Sequence, residues 1–143
     1  MPARVAASAT PVEPSSTTRS EPPNWLLRVA YEGAAFHGWQ RQGDLRTVQL
    51  ELEQALTDLF GVSVTVDGCS RTDAGVHALD QAVTVRPPAN PPIPPAGALR
   101  ALNGRLPEDL RIRSITAQPE GFHARRNSVG KRYAYLLTRK QVF

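Results

Sequence analysis

From Trp25 onward the chain alternates short apolar runs with polar, glycine-containing breaks. The run WLLRVAY, Trp25 to Tyr31, has the length of a strand and ends in the turn-prone pair Glu32 and Gly33. After a loop, GAAFHGWQRQGDLR, the apolar positions Val48, Leu52, Ala55, Leu56 and Leu59 recur at helical spacing, with Thr47 placed as N-cap and Gly61 as the stop. Val62, Val64 and Val66 then alternate with Ser63, Thr65 and Asp67, which predicts a half-buried strand. The stretch SRTDAGVHA, Ser70 to Ala78, interrupts the pattern before a second strand over Gln81 to Arg86. Proline-rich PPANPPIPP cannot lie inside a sheet and leads into a short helix over Ala96 to Leu102, stopped by Asn103 and Gly104. Leu110 to Ile115 alternates as another strand, and Arg132 to Thr138 reads as a last one.

The order β-α-β-β-α-β plus one strand predicts an α+β fold, a ferredoxin-like antiparallel sheet with two helices on one face. Residues 1–24 are rich in Ala, Ser, Thr and Pro without periodicity and are predicted to form a disordered extension, with residues 25–143 as one domain. The Ser and Thr content also fits an organelle transit peptide, against which Glu13 and Glu21 count. No internal repeat is visible.

Composition narrows the function classes. Cys69 is the only cysteine, which excludes an intramolecular disulfide and a cysteine-built metal site. A reducing compartment, cytoplasm or organelle, is therefore expected. No apolar run reaches the length needed to cross a bilayer, so no membrane partner is expected. The net charge is +4, but residues 105–143 hold nine basic and three acidic residues whereas residues 25–104 hold six and eight. A basic surface of this kind is either a solvated face or a site for a polyanion. RNA fits better than a membrane, because no basic amphipathic helix accompanies it.

The candidate chemistry centres on Asp73, and three readings of its loop stay open. In the first, Asp73 is a turn residue whose side chain accepts a backbone N–H while Gly75 supplies a positive φ. A second compares TDAG with the Asp-Thr/Ser-Gly of a dimeric aspartic protease; Arg71 beside the carboxylate and Ala74 in place of a hydroxyl argue against it. The third takes Arg71, two residues before Asp73, as a phosphate contact or as the group that keeps an ionised nucleophile or base in place. Downstream, Phe122 to Arg126 (FHARR) and Lys131 to Tyr135 (KRYAY) interleave aromatic and basic residues, a composition that stacks bases while neutralising phosphates. Together these features point to chemistry on a nucleotide drawn out of its stack.

Five segments carry a family resemblance: YEGAAFHGWQRQ, TVQLELEQAL, SRTDAGVHALDQ, ALNGRLPEDLRI and GFHARRNSVGKRYAY. In order and spacing they resemble the N-terminal half of the TruA family of tRNA pseudouridine synthases, over nearly everything from Leu26 to Thr138. The resemblance implies isomerisation of uridine to pseudouridine in tRNA, typically in the anticodon stem-loop, without cofactor or metal. It implies that Asp73 is the essential catalytic residue, that Arg71 pairs with it and helps extrude the target nucleotide, and that Tyr133 lies against the uracil. Gln40, Arg41, Arg125, Arg126, Lys131 and Arg132 are further candidates for RNA contact. His77 and His123 read as structural, and Trp39 as either an RNA contact or a core residue.

The sequence departs from that family in two ways. Ser70 stands where a glycine usually precedes the motif arginine. Family members also carry a second, related half that completes the sheet and walls the cleft. The chain is therefore read as a truncated form whose missing half, or a second copy in a homodimer, is an expected partner beside tRNA. The alternative function is a non-catalytic RNA-binding module on the same sheet.

Overall fold

The computed structural model describes residues 24–88, 91 and 93–137. Residues 1–23 of the predicted extension over 1–24 and the last residue of the predicted final strand, Thr138, lie outside them, whereas Asn24, placed in that extension, opens the first strand. Strand β1 (Asn24–Tyr31) is the spine of the sheet, pairing antiparallel with β3 (Ala78–Val85) on one side and with β4 (Leu110–Gln118) on the other. The short β2 (Val66–Gly68) pairs antiparallel with β3, giving the order β2-β3-β1-β4. With the helices α1 (Val48–Phe60) and α2 (Pro95–Arg105), this is the ferredoxin-like α+β arrangement predicted from the apolar pattern.

Side-chain alternation along β1 divides the interior in two. Trp25, Leu27, Val29 and Tyr31 join Val48, Leu52 and Leu56 of α1 and Ala98 and Leu102 of α2 in the main core. Leu26 faces the other way and meets Cys69, Ala82, Phe122 and Ala124 in a second, smaller cluster. Both helices thus cover one face of the sheet, while the turn carrying Phe122 covers part of the other. That turn is tied down by the Asn24 amide, which donates to the Phe122 carbonyl at 2.7 Å, and by the Ala124 N–H, which donates to Thr84 Oγ1 at 2.6 Å. Register shifts on both sides of β1, near Arg28 to Tyr31, mark two irregularities in the ladder. Beside them Arg28 is hydrogen-bonded through both Nε and Nη2 to Asp80, with Arg113 3.7 Å from the same carboxylate. The Arg28 hydrogen bond holds the Asp80 carboxyl below its ordinary range.

Helix α1 begins where the sequence places it, with Thr47 Oγ1 accepting the Leu50 N–H at 3.2 Å, and ends at Gly61 with φ 71°. Helix α2 starts with Pro95 in its first turn, where the missing N–H costs nothing, and runs through the predicted stop at Asn103 and Gly104 to Arg105. The reason is that the Asn103 amide is spent on another element. It accepts the Ile112 N–H at 2.9 Å and donates to the Ile112 carbonyl at 2.8 Å, occupying backbone groups of the edge strand β4. At the opposite edge, Glu53 and Gln49 of α1 do the same for Val66 of β2: the Val66 N–H donates to Glu53 Oε1 and its carbonyl accepts from Gln49 Nε2, both at 3.2 Å.

Four further expectations are corrected. The strand predicted from Val62 forms ladder bonds only from Val66, because Val62 is 48% exposed and the Val64 N–H turns to Thr57 Oγ1. Strand β3 begins earlier, at Ala78, and β4 continues past Ile115 to Gln118, carried by pairing with β1. Residues 132–137 form no strand and are exposed. Their alternating apolar pattern has no neighbouring ladder among the described residues, and strand geometry depends on a partner's N–H and C=O groups.

One ion pair fixes the long connection between β1 and α1. Arg46 forks onto Asp109, Nη1 to Oδ2 and Nη2 to Oδ1 at 2.8 Å each, and its Nε meets Glu51 Oε1 at 3.1 Å. Its guanidinium also lies 4.1 Å from the centre of the Phe36 ring. Asp109, just before β4, accepts the Glu32 N–H through its carbonyl at 3.0 Å, so the end of β1, the loop and β4 converge there.

Two outcomes follow from these contacts. Asn103→Ala leaves both Ile112 backbone groups unpaired and should lower the unfolding free energy by about 1–3 kcal/mol, read from urea denaturation. The Arg46 fork depresses the Asp109 carboxyl. The stability it contributes is therefore present above the unfolded carboxylate pKa of about 3.9 and lost as pH falls through the lower folded value. Thermal melts from pH 6 downward should show a steeper acid loss for the parent than for Asp109→Asn.

Candidate active site

The loop leaving β1 and the loop joining β2 to β3 meet backbone to backbone. A Cβ on Gly33 would stand 1.9 Å from the Val76 carbonyl oxygen, so no other residue fits that crossing unchanged. Gly38, at φ 81°, brings its chain close to Thr72, whose carbonyl oxygen a Cβ would meet at 2.8 Å. Between these crossings the Thr72 carbonyl accepts the Trp39 N–H at 3.0 Å, and the Gly33 N–H donates to His77 Nδ1 at 2.9 Å. Tyr31, at the end of β1, places its hydroxyl 2.7 Å from Thr72 Oγ1. Burial pushes the Tyr31 phenol up to about 12, with the Thr72 hydrogen bond opposing and the charge of nearby Tyr133 adding. Trp39 is a core residue, 3% exposed, with its indole against the backbone of Gly68. The loop reading of Trp39 as an RNA contact is thereby set aside.

These anchors hold Thr72 buried and leave Arg71 and Asp73 on either side of it exposed. The turn itself is closed by the Val76 N–H, which donates to the Asp73 carbonyl at 3.1 Å, and by Gly75 at φ 82°. The expectation that the Asp73 side chain accepts the turn's N–H therefore fails. The main-chain carbonyl does this, and among the described residues the carboxylate has no hydrogen bond or ion pair. Ser70, in the usual glycine's place, is 5% exposed and has Gln81 as a hydrogen-bonding partner for both its carbonyl and its hydroxyl.

Asp73, Arg71 and Gln40 line one pocket of about 250 Å³, together with His37 and Gln42. Arg71 and Asp73 share the pocket without an ion pair, contrary to the pairing that the resemblance implied. An exposed pair gains only about 0–1 kcal/mol in water, too little to hold two free side chains together. Tyr133 is 38% exposed and close enough to Tyr31 to influence its titration. Arg41 is turned away from the pocket and pairs with Glu53 on α1. Arg125 and Arg126 are exposed near the Asn24 end of β1, where Arg126 lines a cleft with Arg86 and His123; Lys131 and Arg132 are exposed in the irregular segment beyond. His77 and His123 both act as backbone acceptors through Nδ1, as their structural reading anticipated.

His37, Gln42 and Arg46 are missed by sequence reasoning. The available signal for Arg46 is its place one residue before the α1 cap, within reach of Glu51. Among the described residues no group of three or more His, Cys, Asp or Glu could hold a metal ion, and no helix is long and apolar enough to cross a membrane.

A family model described as tRNA pseudouridine synthase matches residues 28–125, which include the whole Asp73 loop and both of its anchoring segments. The tRNA pseudouridine synthase A of Aquifex aeolicus is 42% identical over 120 residues, 84% of this chain and 49% of that protein. That of Akkermansia muciniphila is 44% identical over 114 residues, 80% of this chain and 43% of the relative. That of Shigella boydii is 39% identical over 111 residues, 78% and 40% respectively. The chain thus spans about half the length of the curated relatives it matches. With the family model matched over both loops and relatives about 40% identical across most of its length, the chain belongs to the TruA family of tRNA pseudouridine synthases.

Proposed function

We propose that this chain provides the aspartate-bearing part of an enzyme that converts uridine to pseudouridine in tRNA, in the anticodon stem-loop, with Asp73 as its catalytic carboxylate. The observation that carries the reading is that the fold fixes the Asp73 backbone at Thr72, Gly75 and Val76 while giving the carboxylate no structural task. A carboxylate placed this way is free to act on a substrate.

In the isomerisation the C1′–N1 bond breaks, the uracil turns, and C5 bonds to C1′. The C5 hydrogen leaves as a proton and N1 takes one up, so no oxidant or cofactor enters the balance. An ionised carboxylate can serve by adding to the sugar, by adding to the base or by taking a sugar proton. Arg71 and Gln40, on the same pocket, supply donors for the extruded nucleotide and its phosphate. Tyr133 offers a ring for the uracil, and Arg125, Arg126, Lys131 and Arg132 a basic surface for the flanking backbone.

A second reading, tRNA binding without turnover, is favoured by the exposure of Asp73. Displacement at a glycosidic carbon gains from excluding water, and at this exposed carboxylate that calls for a further wall over the pocket. Release of tritium from tRNA labelled at uracil C5 separates the two. Turnover by the parent should fall by about 10²–10⁴-fold or more in Asp73→Asn, with tRNA affinity retained. A parent that binds tRNA and releases no tritium would establish the binding reading instead.

A further inference from the structure

Arg41 carries the charge of a phosphate contact, yet its guanidinium pairs with Glu53, a carboxylate that α1 buries to 4% exposure. Glu53 Oε1 accepts from the Val66 N–H and from Gln49 Nε2, both at 3.2 Å. Its buried Oε2 has no hydrogen-bond partner and faces the guanidinium of Arg41. Gln49, one turn earlier on α1, accepts the Arg41 backbone N–H through Oε1 at 2.9 Å, and its own N–H donates to the Trp39 carbonyl at 3.0 Å. One face of α1 therefore grips the chain on both sides of Gln40, and Gln40 alone of the three lines the pocket with Arg71 and Asp73. The same Gln49 and Glu53 side chains hold Val66, at the start of the strand that leads into the aspartate loop. Both walls of the pocket are thus fastened to one pair of helical side chains.

We infer that Glu53 and Gln49 are positioning residues which, through Arg41, hold Gln40 beside the Asp73 carboxylate, and that Arg41 serves this clamp instead of an RNA phosphate. An unpaired buried carboxylate is strongly unfavourable, so Glu53 commits the guanidinium charge. The groove that Arg41 lines also carries Asp58, so its lining holds two carboxylates and one cation, a balance that disfavours phosphate. The clamp stands on its own contacts; only its consequence for tRNA rests on the proposed function.

The test measures tRNA affinity across a salt series and the amide exchange of residue 41. It compares the parent with Arg41→Met, Glu53→Gln, their combination, and Gln40→Ala alone and within Arg41→Met. Arg41→Met should speed that exchange and weaken tRNA binding by about tenfold or more, and the added Glu53→Gln should restore both, because it removes the stranded charge. Gln40→Ala should weaken the parent yet add little to Arg41→Met, the signature of coupled residues. The inference is overturned if the combination stays as weak as Arg41→Met with a salt slope smaller by about 0.7–0.9, since that marks a lost phosphate contact. Additive Gln40 and Arg41 effects would also overturn it. A parent that binds no tRNA would sink the functional reading alone; exchange at residue 41 then decides the clamp, and an unchanged rate in Arg41→Met refutes it.

Discussion

The contact on which the site depends is a crossing of two main chains, in which Gly33 runs against the Val76 carbonyl with no room for a side chain. Van der Waals exclusion makes the rest follow. Once the chains are this close, the Gly33 N–H can reach His77 and Tyr31 can reach Thr72, and Gly38 repeats the approach one loop segment further on. The aspartate loop is therefore positioned by backbone contacts and buried anchors, while the residues flanking Thr72 remain outside the packing.

The sheet's two edges are managed by helices in the same manner. Asn103 of α2 occupies Ile112 on β4, and Gln49 with Glu53 of α1 occupies Val66 on β2. Each is a polar side chain that a helical-wheel reading assigns to solvent or to a cap, and each instead supplies the hydrogen bonds that a further strand would bring. The buried Glu53 follows from this: a carboxylate can be taken from water when N–H groups and a guanidinium surround it.

The order of elements and the main core were legible because they depend on local periodicity. Val48, Leu52 and Leu56 lie in the core at the spacing that announced α1, and its cap and stop are the residues the sequence offered. The Asn103 and Gly104 stop misled because a local signal was overridden by a bond to a strand several residues away. Arg132 to Leu137 misled for the opposite reason: strand propensity was present, but pairing is a property of neighbours. At the site, Asp73, Arg71 and Gln40 were legible from the motif resemblance and do share a pocket. Arg46 and the turning away of Arg41 were not, since both depend on which acid the fold brings alongside, Asp109 in one case and Glu53 in the other.

The buried phenol of Tyr31 adds a property of another kind. Because its proton is retained until about pH 12, the hydroxyl remains neutral across any pH at which RNA is handled. Its bond to Thr72 consequently acts as a joint without a titrating part. The loop's geometry is in this respect indifferent to acidity, because this anchor of its frame keeps the same protonation state throughout that range.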